Sequence, residues 1–184
     1  MSQYRMPPAP VLTPWSPEAN GLVIANGVMS ATRVLFSTTS TAWPTANRAF
    51  FYSFRLFDWA TAYQLLVFIG ATSSGNIDVG IYDSQKNLVV SAGSTAMSAT
   101  VNTVQEFNIA NTVLPPGDYL IGVACDNNTG ACFSTTTNDE LIFSYLPIYE
   151  QQSAFPLPNP CVPVASTLNT PPFVVCGIQF RPTF

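Results

Sequence analysis

Hydrophobic and polar positions alternate along most of the middle of this chain. From Gly75, Ile77, Val79 and Ile81 share one face of an extended segment, and Asp78, Gly80 and Tyr82 occupy the other. Asp83-Ser84-Gln85-Lys86-Asn87 is rich in side chains that bond their own backbone, and Leu88 to Ala92 returns as the second arm of a hairpin. Val104 to Ile109 alternates again after a Ser/Thr/Ala-rich bridge. Leu114-Pro115-Pro116-Gly117-Asp118 then turns into Tyr119 to Ala124, a run apolar enough to be covered on both faces. Upstream, Arg48 to Phe57 sets Phe50, Tyr52, Phe54 and Leu56 on one side and Phe51, Ser53, Arg55 and Phe57 on the other. Leu22 to Ala25, Arg33 to Ser37, Tyr63 to Ala71, Ala131 to Thr136 and Glu140 to Tyr145 are further predicted strands. Ser37 to Asn47 reads as a Ser/Thr loop with Trp43-Pro44 at its tip. A useful length of 3.6-residue periodicity is missing, so any helix is confined to a turn or two around Trp59 to Tyr63. The spacing predicts an all-β, antiparallel sandwich.

Proline frames that body. Residues 1–21 carry Pro7, Pro8, Pro10, Pro14 and Pro17, which favour extended polyproline geometry, interleaved with Tyr4, Met6, Val11, Leu12 and Trp15. A free tail is ordinarily charged and poor in aromatics, so this stretch is predicted to be an arm laid along a neighbouring subunit, with a flexible tail as the alternative. Tyr4, Met6, Val11, Leu12 and Trp15, together with Trp43, are the candidate partner contacts. A second proline-rich stretch runs from Pro147 to Pro172 and ends in Phe173 to Phe180, a predicted strand that returns to the sheet. Such long loops usually bind something. The expected layout is an arm over 1–21, a sandwich over 22–146 and an extension over 147–184.

Charge changes the picture more than apolar content does. Charged residues form 9% of the 184 and apolar residues 47%, with a net charge of −4. An average soluble protein is roughly a quarter charged, so repulsion between copies is weak here and permanent neighbours are expected; a secreted β-domain coated in Ser and Thr is the alternative. Six scattered Lys and Arg residues cannot build the basic stripe that nucleic acid requires. Leu65 to Ile69, the most apolar window, is far too short to span a bilayer, and residues 1–10 lack the apolar core of a secretory leader. The product is expected to be soluble and made in a cytosol.

Histidine is absent, which removes Ser-His-Asp and Cys-His catalysis and imidazole metal ligands. The carboxylates could supply a glycosidase pair, but Asp83 and Asp118 suit turns and Asp139-Glu140 suits a strand entry. Asp126, Asn127, Asn128 and Asp139 offer loop oxygens to calcium without matching an EF-hand, and Asn127-Asn128-Thr129 fits a glycosylation pattern. Catalysis, cofactor and metal are accordingly not expected. Cys125 and Cys132 flank a turn that could pair them, while reduced buried thiols are the default for the four cysteines in a cytosol. Trp43, Trp59 and Tyr82 could stack on sugar rings; packing in a core or interface is their ordinary role.

Asp78-Val79-Gly80-Ile81-Tyr82-Asp83, the polar turn after it, Leu88-Val89-Val90-Ser91 and Leu114-Pro115-Pro116-Gly117-Asp118-Tyr119-Leu120 resemble a module common in virion proteins of tailed bacteriophages. The resemblance covers residues 48–125, and its motifs also occur in bacterial carbohydrate-binding sandwiches. It implies a jelly-roll-like sandwich of the kind built into capsid decoration proteins, head fibres and tail adhesins, and it carries over no catalytic or binding residue. Two proline-rich stretches on a compact body then favour a non-enzymatic capsid decoration or cement protein. Such a protein would form a trimer, reside in the virion and be partnered by the major capsid protein or other virion subunits. The alternatives are a receptor-binding tail module that grips host glycan and a cellular carbohydrate-binding module.

Overall fold

The computed structural model describes residues 22–24, 38–135, 148–166, 168, 172–174 and 176–182. Its strands in chain order are β1 (Leu22–Ile24), β2 (Thr38–Ala42), β3 (Ala49–Leu56), β4 (Ala60–Ile69), β5 (Asn76–Tyr82), β6 (Leu88–Ser91) and β7 (Thr95–Ala96). They continue as β8 (Thr103–Leu114), β9 (Gly117–Cys125), β10 (Ala131–Thr135), β11 (Tyr149–Gln151), β12 (Val164–Ala165), β13 (Phe173–Val174) and β14 (Cys176–Pro182). Helix is absent among the described residues, and the turn expected around Trp59 to Tyr63 is instead the start of β4.

Two antiparallel sheets result. In sheet A, β1 pairs β14, β14 pairs β4, and β4 pairs β8; β10 carries β2 and β13 and meets β4 at Cys132 and Ile69. Sheet B runs β12-β11-β3-β9-β5-β6, with β7 also beside β5. The chain crosses between sheets at β2–β3, β3–β4, β4–β5, β7–β8, β8–β9, β9–β10, β10–β11 and β12–β13, so most consecutive strands lie in opposite sheets of a jelly-roll-like sandwich.

Alternation decides what fills that core. Phe50, Tyr52 and Leu56 of β3, Ile77, Val79 and Ile81 of β5, and Ile121 and Val123 of β9 meet Leu65, Val67 and Ile69 of β4 and Ile178 of β14. β9 is buried on both faces, as its near-continuous apolar run predicts, and so is β5, although Asp78 and Gly80 alternate with its apolar residues. The Ser/Thr stretch expected as a loop contains β2, whose β-branched Thr38, Thr39 and Thr41 suit the pleat beside β10. Gly75 adopts φ +70° at the entry to β5, where a Cβ would run into the Asn127 and Asp126 side chains.

Candidate functional site

Phe51, Tyr82, Leu120 and Ala124 point out of sheet B, away from the main core, and water does not reach them. Residues 152–163 cross this outer face as a strap that seats Ala154, Leu157 and Cys161 on them. Three backbone N–H groups of the strap find acceptors below it: Ala154 N donates to Asn47 O (2.7 Å), Cys161 N to Lys86 O (3.0 Å) and Leu157 N to Asp78 Oδ2 (2.9 Å). The Tyr82 hydroxyl donates to Pro158 O at 2.8 Å, and Leu88 N to Asn159 Oδ1 at 3.0 Å. The proline-rich stretch read as a reaching extension thus covers, over these residues, the body's own sheet. Its prolines suit a segment whose hydrogen bonds go to the sheet below rather than to a ladder. Gly122 makes the close approach under the strap feasible, since a Cβ there would lie 3.0 Å from ring carbons of both Phe51 and Tyr82.

Beyond the strap, the same face opens into a shallow groove of about 280 Å³ lined by Ser53, Asp83, Lys86, Asp118, Leu120 and Tyr149. Both carboxylates there are held ionised. Desolvation works to raise Asp83, but hydrogen bonds from the Asn87 side chain and backbone outweigh it and hold the carboxyl below its usual range. The Arg55 guanidinium grips the two Asp118 oxygens at 2.6 and 2.7 Å and lowers that group too. A glycosidase needs one protonated acid of the pair, and neither group is set up to supply it. The groove sets hydrogen-bonding groups beside the ring of Tyr149.

The outer face of sheet A is different. Phe68 and Phe133 stack there with centroids 4.2 Å apart, beside Val104 at 48% exposure. Gln64 Nε2 donates to Glu106 Oε2 (3.1 Å) and Asn108 Oδ1 (3.0 Å) across β4 and β8. Val113 and Trp59 are both 54% exposed toward the far end of the same strand pair.

Of the residues singled out by sequence, Tyr4, Met6, Val11, Leu12 and Trp15 lie outside the described residues. Trp43, expected as a partner contact, is instead a core residue at 2% exposure. Its ring edges against Phe50 and its indole N–H donates to Arg48 O. Tyr82 is buried under the strap, which leaves Trp59 as the exposed member of the proposed sugar-stacking set. Tyr149 was missed because nothing in Pro147-Ile148-Tyr149 marks which sheet it joins. Asp126 accepts from Asn76 N and Nδ2, and Asn127 Oδ1 from Thr129 N and Gly130 N, so these oxygens cap turns rather than await a cation. Asp139 and Glu140 lie outside the described residues.

The turn between β9 and β10 does bring Cys125 and Cys132 together, as free buried thiols, with Cys176 facing the same layer. Burial, then a hydrogen bond with Cys132, pushes the Cys125 thiol well up; burial does the same to Cys176. Compared with known protein families, curated proteins and solved structures, the chain matches none of them.

Proposed function

We propose that this chain is a non-enzymatic structural protein of a virion, a capsid decoration or cement protein that binds and stabilises a capsid lattice. The observation that carries the reading is the difference between the two outer faces. Sheet B is closed by the chain's own strap, whereas sheet A presents Phe68, Phe133, Val104 and Val113, with Glu106 beside them on β8. Lattice contacts of this kind gain affinity from apolar burial, at about 25 cal/mol per Å². The resemblance over residues 48–125 supplies the virion setting, and residues 1–21 supply the reach to neighbouring subunits. Mass spectrometry of purified virions tests this directly: a copy number that matches the capsid lattice is expected, and the handful typical of a tail sinks it. Deleting residues 1–20 should abolish attachment to particles while the sandwich stays folded.

The groove at Ser53, Asp83, Lys86 and Tyr149 favours one second reading, a tail adhesin that holds host glycan. There, a glycan array should show binding that Trp59→Ala or Tyr149→Ala weakens, and an empty array removes the idea.

A further inference from the structure

Sheet edges differ sharply in how they are protected. The other edge strands among the described residues are short: β1 has 3 residues, β2 has 5, β6 has 4, and β7, β12 and β13 have 2 each. Edges that short offer little template to another chain. β8 has 12 residues and, among the described residues, pairs only with β4. Its other side is a row of backbone donors and acceptors. Of the usual devices against edge-to-edge pairing, Lys, Arg and Pro are missing from Thr103 to Leu114, which leaves one charge and one bulge. Its single charge, Glu106, is turned onto Gln64 across the sheet. One irregularity, a register shift opposite Ala62 to Gln64, leaves Thr103 to Asn108 as a regular run.

We infer that this free edge of β8 is a homotypic pairing edge: β8 of a second copy adds to it antiparallel across a two-fold axis, joining sheet A of the two copies into one continuous sheet. A partner for such an edge must itself present an extended strand with open backbone groups and little charge, and β8 is that strand. Every register except one centred on Glu106 keeps the two carboxylates from facing each other, so self-pairing meets no electrostatic obstacle. A strongly acidic or basic partner finds nothing here to steer it. Val101, Val104 and Val113, at 38%, 48% and 54% exposure, then lose water along the new seam. The inference concerns self-association and stands whether or not the lattice role holds.

Sedimentation velocity of the full chain over a concentration series is the test, with amide exchange read on the same samples. A concentration-dependent dimer is expected, with alternate amides of Thr103 to Asn108 slowing as the dimer forms. Val104→Lys with Val113→Lys, at positions already exposed, should keep the far-UV spectrum and raise the dimer Kd by about tenfold or more. Val162→Lys with Val164→Lys, exposed at 71% and 57% on the strap side, should leave the dimer intact. A monomer at all concentrations, a trimer, equal sensitivity to both pairs of substitutions, or β8 protection that appears only when a different polypeptide is added overturns the inference.

Discussion

Asp78 is the carboxylate most at odds with its surroundings, and replacing it by Asn tests how the strap is held. The residue is 1% exposed between β5 and the strap; Oδ2 accepts the Leu157 N–H at 2.9 Å, and Oδ1 has no hydrogen-bond partner among the described residues. Desolvation dominates and raises its pKa, against opposing hydrogen bonds led by Leu157 N–H. The folded state therefore prefers the neutral acid. Its contribution to stability is full below the unfolded value of about 3.9 and is lost as pH rises through the higher folded value. An unpaired buried polar atom costs about 1–3 kcal/mol, and the charge-assisted bond to Leu157 offsets part of that. Asp78→Asn keeps an acceptor for Leu157 and removes the charge. The variant should gain about 1 kcal/mol over the parent at pH 7, a difference that narrows as pH falls through the raised folded pKa and the parent takes up its proton. Urea unfolding of both proteins at each pH measures it. A parent that becomes more stable as pH rises from 4 to 7, with the variant less stable than the parent at pH 7, refutes the reasoning and shows the ionised carboxylate to be the better anchor.

Other perturbations report on neighbouring parts of the structure. Leu157→Ala removes the strap's buried anchor and should cost about 2–3 kcal/mol, with faster amide exchange from Ala154 to Cys161; unchanged exchange there would mean the strap is held elsewhere. Gly122→Ala presses a methyl against Phe51 and Tyr82 and should cost about 1–3 kcal/mol in urea unfolding. Tyr82→Phe deletes the bond to Pro158 O and should lower stability by about 1 kcal/mol without moving the other core strands. The four thiols should resist iodoacetamide at pH 8 in the native protein and all react in denaturant, since burial excludes the reagent and, for Cys125, Cys161 and Cys176, raises the thiol pKa. Rapid native labelling of Cys125 or Cys176 would contradict that burial.

Sandwich architecture was legible because alternation is local: Ile77, Val79 and Ile81 declare their face without reference to any partner, and Pro115-Pro116-Gly117 punctuates the strands around it. β2 escaped notice because its Thr and Ser residues also suit loops; only pairing to β10 fixes them as a strand. Trp43 looked like a surface residue for the same reason, since its burial depends on Phe50 and the turn at Gly130 rather than on Thr41 to Pro44. The strap was hardest. Phe51 opposite Phe50 and Tyr52 did mark β3 as apolar on both sides, but nothing local in Ser153 to Pro163 says that this segment covers one of them. The groove shares that difficulty, since Ser53, Lys86 and Tyr149 come from three separate parts of the chain.

β14 occupies an interior position of sheet A, between β1 and β4, although both of those strands lie far upstream of it in the chain. Until Cys176 to Pro182 are available, β4 lacks one neighbour and Leu22 to Ile24 lack the strand they pair with, so sheet A cannot close during synthesis, whereas sheet B draws on none of these strands. Closure of sheet A thus depends on pairing between distant parts of the chain, and a nascent chain halted before Cys176 would leave one edge of β4 without its strand, the kind of open edge through which incompletely folded chains aggregate.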